Sequence, residues 1–119
     1  MKIAIVGSRN YPDLEVVRQF VREQPTTTCI VSGGAKGVDR AAEDEARRRG
    51  LEVEIHFPDW DVHGKSAGFI RNRAIVESAD EVVAFWDGTS RGTKHSIDLA
   101  HKAGKPVRVI QSEPEEIPR

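Results

Sequence analysis

Three short stretches rich in glycine and small polar side chains punctuate the 119-residue sequence, each leading into residues of helical period. They are Gly7-Ser8-Arg9-Asn10, the run Ser32-Gly33-Gly34-Ala35 continuing to Asp39, and Asp87-Gly88-Thr89-Ser90-Arg91-Gly92-Thr93. Glycine lets backbone N–H groups approach a ligand closely, and a helix start presents unpaired donors at the positive end of a dipole, so such loops suit phosphate. The plainer account is that the glycines only make tight turns, and for any single loop the two accounts weigh evenly. Neither G-x-x-x-x-G-K-[ST] nor G-x-G-x-x-G occurs, which sets aside the P-loop and the dinucleotide fingerprint.

The charges are distributed to match. Arg9, Lys36, Arg40, Lys65, Arg71, Arg73, Arg91 and Lys94 fall in these loops, in the 58–68 stretch, or in the first turns that follow. Many acids lie elsewhere: Glu43, Asp44 and Glu45 farther along the second helix, and Glu113, Glu115 and Glu116 near the C-terminus. A chain of net charge −1 does not coat nucleic acid through bulk charge, yet it can hold a positive cleft mouth. Arg9 and Arg71 are the better ligands, and Arg40 and Arg73 read as solvated surface.

Asp39 reads first as a helix cap and second as a partner for a ribose hydroxyl. Asp87 ends an otherwise apolar strand, which favours a functional reading. Ser8 and Ser32 can donate to phosphate or satisfy their own loops, and Thr93 suits a phosphate contact or an N-cap. The four histidines are scattered, so no metal site is legible and no cofactor is called for; His95 reads as an exposed first-turn residue. Trp60 can lid a pocket by stacking or pack over a helix, and Trp86 reads as core.

The elements that must position these residues follow from apolar runs at 2–6, 28–32, 81–86 and 106–110, with a weaker one at 52–57. Segments of helical period lie between them: Leu14, Val17 and Val21; Val38, Ala42 and Ala46; Ile70 and Ala74; Ile97 and Ala100. Gly50 and Gly104 mark helix ends. Such alternation predicts an α/β Rossmann-like three-layer sandwich with a five-stranded parallel sheet in the order 3-2-1-4-5. Its ligand crevice lies beyond the carboxyl ends of the strands, between strands one and four, and the three loops converge there. That convergence shifts the balance towards a phosphate-bearing ligand.

The stretch 58–68 is the longest irregular segment. Residues 1–111 are expected to form one domain, and residues 112–119 a polar, disordered tail. Cys29 has no second thiol to pair with, the N-terminus is too short in apolar residues for a signal core or a span, and no membrane association is expected; a cytoplasmic location fits.

The stretches "GSR" (7–9), "SGGAKGVD" (32–39), "GKSAGFIRN" (64–72), "AD" (79–80) and "DGTSRGT" (87–93) together resemble the SLOG superfamily, and within it the stand-alone YspA-related group. The resemblance implies the fold already read and a nucleotide or nucleotide-derived ligand at the glycine loops. It also implies a homo-oligomer. The second loop is similar to that of DNA-processing protein A, which handles single-stranded DNA. The third is similar to those of Lonely Guy phosphoribohydrolases and nucleoside deoxyribosyltransferases. In those base-cleaving relatives a glutamate follows the Gly-Thr pair by three positions, where this chain carries Ser96. An alcohol cannot replace a carboxylate that faces an oxocarbenium-like centre.

The expected function is therefore binding of a nucleotide-derived small molecule, as sensor or carrier. Gly7, Ser8, Arg9, Ser32, Gly33, Gly34, Ala35, Asp39, Asp87, Gly88, Ser90, Gly92 and Thr93 would cradle it, with Lys65, Arg71 and Asn72 closing over it. The alternative is an N-glycosidic hydrolase of nucleoside monophosphates, with Asp87 or Asp39 as the catalytic carboxylate. A single-stranded DNA partner is disfavoured, because few aromatics and near-zero net charge make a poor stacking groove.

Overall fold

In the computed structural model, which describes residues 1–112, each apolar run becomes a strand: β1 (Lys2–Gly7), β2 (Cys29–Ser32), β3 (Glu52–Ile55), β4 (Glu81–Trp86) and β5 (Val107–Gln111). The helices are α1 (Leu14–Arg22), α2 (Val38–Arg48), α3 (Trp60–His63), α4 (Ala67–Ser78) and α5 (Arg91–Lys102). All strand pairs are parallel in the order β3-β2-β1-β4-β5, as the alternation predicts. The expected tail lies almost wholly outside the described residues.

A parallel strand buried on both faces sends alternate side chains to opposite layers. Ile3 and Ile5 of β1 pack with Val17, Val21, Val38 and Ala42 of α1 and α2. Ala4 and Val6 pack with Ile75 and Val76 of α4 and with Ile97 and Ala100 of α5. Phe85 of β4 is fully buried and meets Tyr11 and Phe20 edge-on, which seals the first layer.

Helix ends are closed by the predicted glycines and by two cations. The N–H groups of Gly50 and Leu51 return to Arg47 and Ala46, and those of Gly104 and Lys105 to His101 and Ala100, the paired bonds of a Schellman ending. Arg49 donates to the carbonyls of Val21, Arg22 and Gln24 at the end of α1. Lys105 does the same for Val76, Glu77 and Ala79 at the end of α4. Both cations therefore satisfy orphan carbonyls at the negative end of a helix.

Two local expectations change. The 58–68 stretch is not irregular throughout: Asp59 accepts the Val62 N–H at 3.1 Å and starts α3, and a 3-10 turn at Gly64–Ser66 leads into α4. The buried residues of α4 are Ala67, Asn72, Ile75 and Val76, whereas Ile70 is 44% exposed. This helix carries apolar residues on more than one side, so periodicity alone did not single out the face that meets the sheet.

Candidate functional site

A cleft of about 430 Å³ opens beyond the carboxyl ends of β1 and β4, where the strand order reverses. The first turn after β1 (Gly7 to Asn10), the start of α2 (Ala35 and Asp39), the face of α4 (Arg71, Asn72 and Ile75) and the β4–α5 turn (Asp87, Thr89, Ser90, Gly92, Thr93 and Ser96) line it. This volume lies in the range of small-molecule sites and exceeds what one inorganic anion needs.

The packing under the cleft explains the glycines at two positions. A Cβ on Gly7 would come within 2.6 Å of the Val38 side chain, so α2 can dock closely against β1 only if that residue is glycine. Gly37 has φ +81°, and a Cβ there would collide with the carbonyl of Arg9. The close approach of these two segments is what delivers Arg9 to the rim.

Arg71 is the most constrained cation in the cleft. Its Nη1 donates to the Gly33 carbonyl, and its Nε donates to Asn72 Oδ1 at 3.0 Å. Burial pulls its guanidinium below the usual arginine range, against the opposing pull of the nearby Asp39 carboxylate, with a smaller downward contribution from Arg9. Among the described residues no carboxylate lies within 4.0 Å of Arg71 or Arg9. Two neighbouring guanidiniums, one half-buried and held by neutral acceptors, make a site that favours an added anion.

The β2–α2 loop is organised differently from its expected role. Ser32 is fully buried and donates its hydroxyl to Glu43 Oε2 at 2.7 Å, and the same oxygen accepts the Gly34 N–H at 3.0 Å. Asp39 Oδ2 accepts the Ala35 N–H at 3.2 Å. The donors expected to cradle phosphate at Ser32, Gly34 and Ala35 are thus taken by carboxylates of the loop's own helix. Ser32, Gly33 and Gly34 do not line the cleft. Glu43, read from sequence as lying away from this edge, is 2% exposed and reaches back to hold the loop. The readable signal was two acids one helical turn apart directly after a glycine loop.

Asp39 does not cap α2, whose N-cap is Gly37 with no side-chain bond. Its carboxyl is only 6% exposed, and burial pushes it up to about 6 against the opposing influence of the Ala35 N–H and Arg71. Asp87 is held the other way. Its Oδ1 accepts the N–H groups of Thr89 at 2.9 Å and Ser90 at 2.8 Å, and these bonds keep it below the usual carboxylate range.

The remaining expected residues divide by place. Ser8 is buried and its hydroxyl accepts the Asp87 N–H at 3.2 Å, which ties β1 to the β4–α5 turn. Ser90 is the N-cap of α5, and its hydroxyl lies 3.1 Å from that of Thr93. Lys65 is exposed on the 3-10 turn and Gly88 sits behind the β4–α5 turn against Gln111, so neither lines the cleft. Asn72 does line it, but its amide is used inside the protein, towards Arg71, Gly92 and His95. His95 is half-buried rather than exposed, and its edge packs on Phe69. Trp86 is half-buried and donates from Nε1 to the Ser90 carbonyl at 3.0 Å, which anchors the same turn. Asn10, which also lines the cleft, was not singled out in the sequence. No cluster of three or more metal-ligating side chains occurs among the described residues.

Ser96 stands in the cleft wall, 2% exposed, with its hydroxyl turned to the Gly92 carbonyl at 3.4 Å. The position at which the resemblance to base-cleaving families implies a glutamate thus lies in the cleft wall and carries a small alcohol.

A parallel sheet in this order, with helices on both faces and a cleft at the strand-order reversal, defines a Rossmann-like α/β domain. The chain belongs to the YspA, cpYpsA-related SLOG family, whose sequence model matches residues 1–63. It is 39% identical over 116 residues to the Gene 61 protein of Mycobacterium phage D29, an alignment covering 89% of this chain and 93% of that one. In fold it is similar to DNA processing protein A from Streptococcus pneumoniae, with a TM-score of 0.78 at 23% identity. DNA processing protein A from Helicobacter pylori, described for its single-stranded DNA binding mode, is similar with a TM-score of 0.68 at 22% identity. Both likenesses cover 98% of this chain but only 51% and 66% of those chains respectively. Among the described residues no helix is long and apolar enough to cross a membrane.

Proposed function

We propose that the cleft binds a nucleotide or nucleotide-derived small molecule, with its phosphate between Arg9, Arg71 and the first turn of α5. The observation that carries this reading is Arg71: a half-buried guanidinium fixed by a carbonyl and an amide, lining the same cleft as Arg9, with Asp39 the carboxylate that acts on it but, among the described residues, none within 4.0 Å. Gly92 and Thr93 at the start of α5 add the positive end of a helix to the same wall. Ser96 favours binding over cleavage, because it supplies no fixed negative charge to the sugar.

A second reading has one supporting observation. Phe57, Trp60 and Phe69 are 68%, 55% and 55% exposed between the end of β3 and the first turn of α4, so the aromatics that a single-stranded nucleic acid would stack on are on the surface. Under this reading the cleft holds one unit of a longer strand.

Ligand-observed NMR against nucleoside monophosphates, deoxynucleotides, NAD and ADP-ribose, followed over hours, tests both. Saturation transfer to an intact mononucleotide is the expected result. Release of free base would mean hydrolysis and would put Asp87 or Asp39 in the catalytic role despite Ser96. Binding confined to a short single-stranded oligonucleotide, with affinity falling steeply as salt rises, would establish the second reading instead.

A further inference from the structure

Outside the cleft lining, next to Asn72 on the α4–α5 side, lies an aromatic pair of different chemistry. Phe69, in the first turn of α4, meets His95, in the first turn of α5, with ring centroids 4.7 Å apart and planes at 70°. His95 Nδ1 lies 3.2 Å from Asn72 Nδ2, and Asn72 is itself part of the cleft wall. The amide can only donate there, so the ring nitrogen accepts and the imidazole proton sits on Nε2. Burial, reinforced by Arg73, keeps that imidazole below its ordinary range and favours its neutral form.

Phe69 nevertheless leaves 55% of its surface in solvent. A charged end built on Arg9 and Arg71 and a neutral aromatic end built on Phe69 and His95, joined by the Asn72 amide, match a ligand that is itself anionic at one end and flat at the other. We propose that Phe69, backed by His95, is the stacking platform for the base of the bound nucleotide, and that it supplies the preference for nucleotides over plain sugar phosphates. This rests on the cleft being the phosphate site. It goes further by assigning the base to the α4–α5 rim and not to Phe57, whose ring lies against Gly34 of the β2–α2 loop.

Calorimetric titration of wild type, Phe69→Ala and Phe57→Ala with AMP, CMP, adenosine and ribose 5-phosphate tests the assignment. Stacking on one aromatic side chain contributes enough that Phe69→Ala is expected to weaken AMP about tenfold. The same variant should leave ribose 5-phosphate within about twofold, because no base is present to stack. Phe57→Ala should leave both ligands unchanged.

Equal losses for AMP and ribose 5-phosphate would make Phe69 merely structural and overturn the platform, as would a loss that follows Phe57 instead. Equal wild-type affinities for AMP and ribose 5-phosphate would overturn the platform while leaving the phosphate site standing. Binding of adenosine but not of ribose 5-phosphate, still lost in Phe69→Ala, would keep the platform and sink the phosphate reading. Failure of all four ligands would sink both. A change of oligomeric state in Phe69→Ala, seen by sedimentation without a change in affinity, would show that the ring covers a second copy of the chain and would also overturn the proposal.

Discussion

The two glycine loops that flank the cleft look alike in sequence, yet the structure sets them up in opposite ways. On the β2–α2 side the loop donors are taken by Asp39 and Glu43, both buried, so this wall is closed on itself. On the β4–α5 side Asp87 holds only the tip of its turn, through Thr89 and Ser90, and the first turn of α5 still faces the cleft. A glycine-rich loop is therefore not an anion site by composition; what matters is whether a carboxylate of the same chain already occupies the donors. Here one loop braces Arg71, through the Gly33 carbonyl, whereas the other, with its Thr89, Ser90 and Thr93 N–H groups held by Asp87 and Ser90, presents the start of α5 to the cleft.

Removing the brace should have the largest effect. Glu43→Ala leaves the buried Ser32 hydroxyl and the Gly34 N–H without their acceptor, and a loss of about 3 kcal/mol in urea unfolding is expected. A loss under about 1 kcal/mol would mean that the loop is held by something else.

The two aspartates should respond to pH in opposite directions. Asp39 has a folded value of about 6, above its unfolded one, so its contribution is fully present below the unfolded value and is lost as pH rises through 6. Asp39→Asn should then gain about 2 kcal/mol on wild type at pH 8 and little at pH 4, because Asn keeps an acceptor for Ala35 and carries no charge. An equal difference at both pH values would contradict the burial account. Asp87 is held low by the Thr89 and Ser90 N–H groups, so its contribution is present above the unfolded value and disappears as pH falls. It is largely solvated and Asn retains an acceptor, so Asp87→Asn should cost only about 0.5 kcal/mol at neutral pH.

The sheet order, the five strands and the place of the cleft were readable because apolar runs and helix-stop glycines are local signals, and right-handed crossovers leave only a handful of ways to combine them. Arg9, Arg71 and the β4–α5 turn were readable for the same reason, since their position relative to the strand ends fixes their position in space. The engagement of Ser32 and Gly34 by Glu43 was not readable, because Glu43 lies eleven residues from Ser32 and single-sequence spacing does not show where a glutamate turns. Ile70 misled because α4 has apolar residues on more than one side. The small α3 was missed because four residues carry no periodicity, though its Asp59 cap was in plain view.

The claim that the β1 and β4–α5 side receives phosphate, while the β2–α2 loop only braces Arg71, is tested most directly by amide chemical-shift mapping with AMP, using wild type and Arg71→Ala. In wild type the largest shifts should fall on Ser8 to Asn10 and on Ser90 to Thr93, with Ser32 to Gly34 little changed, and Arg71→Ala should abolish saturation at the same AMP concentrations. Dominant shifts at Ser32 to Ala35, or unchanged affinity in Arg71→Ala, would contradict it.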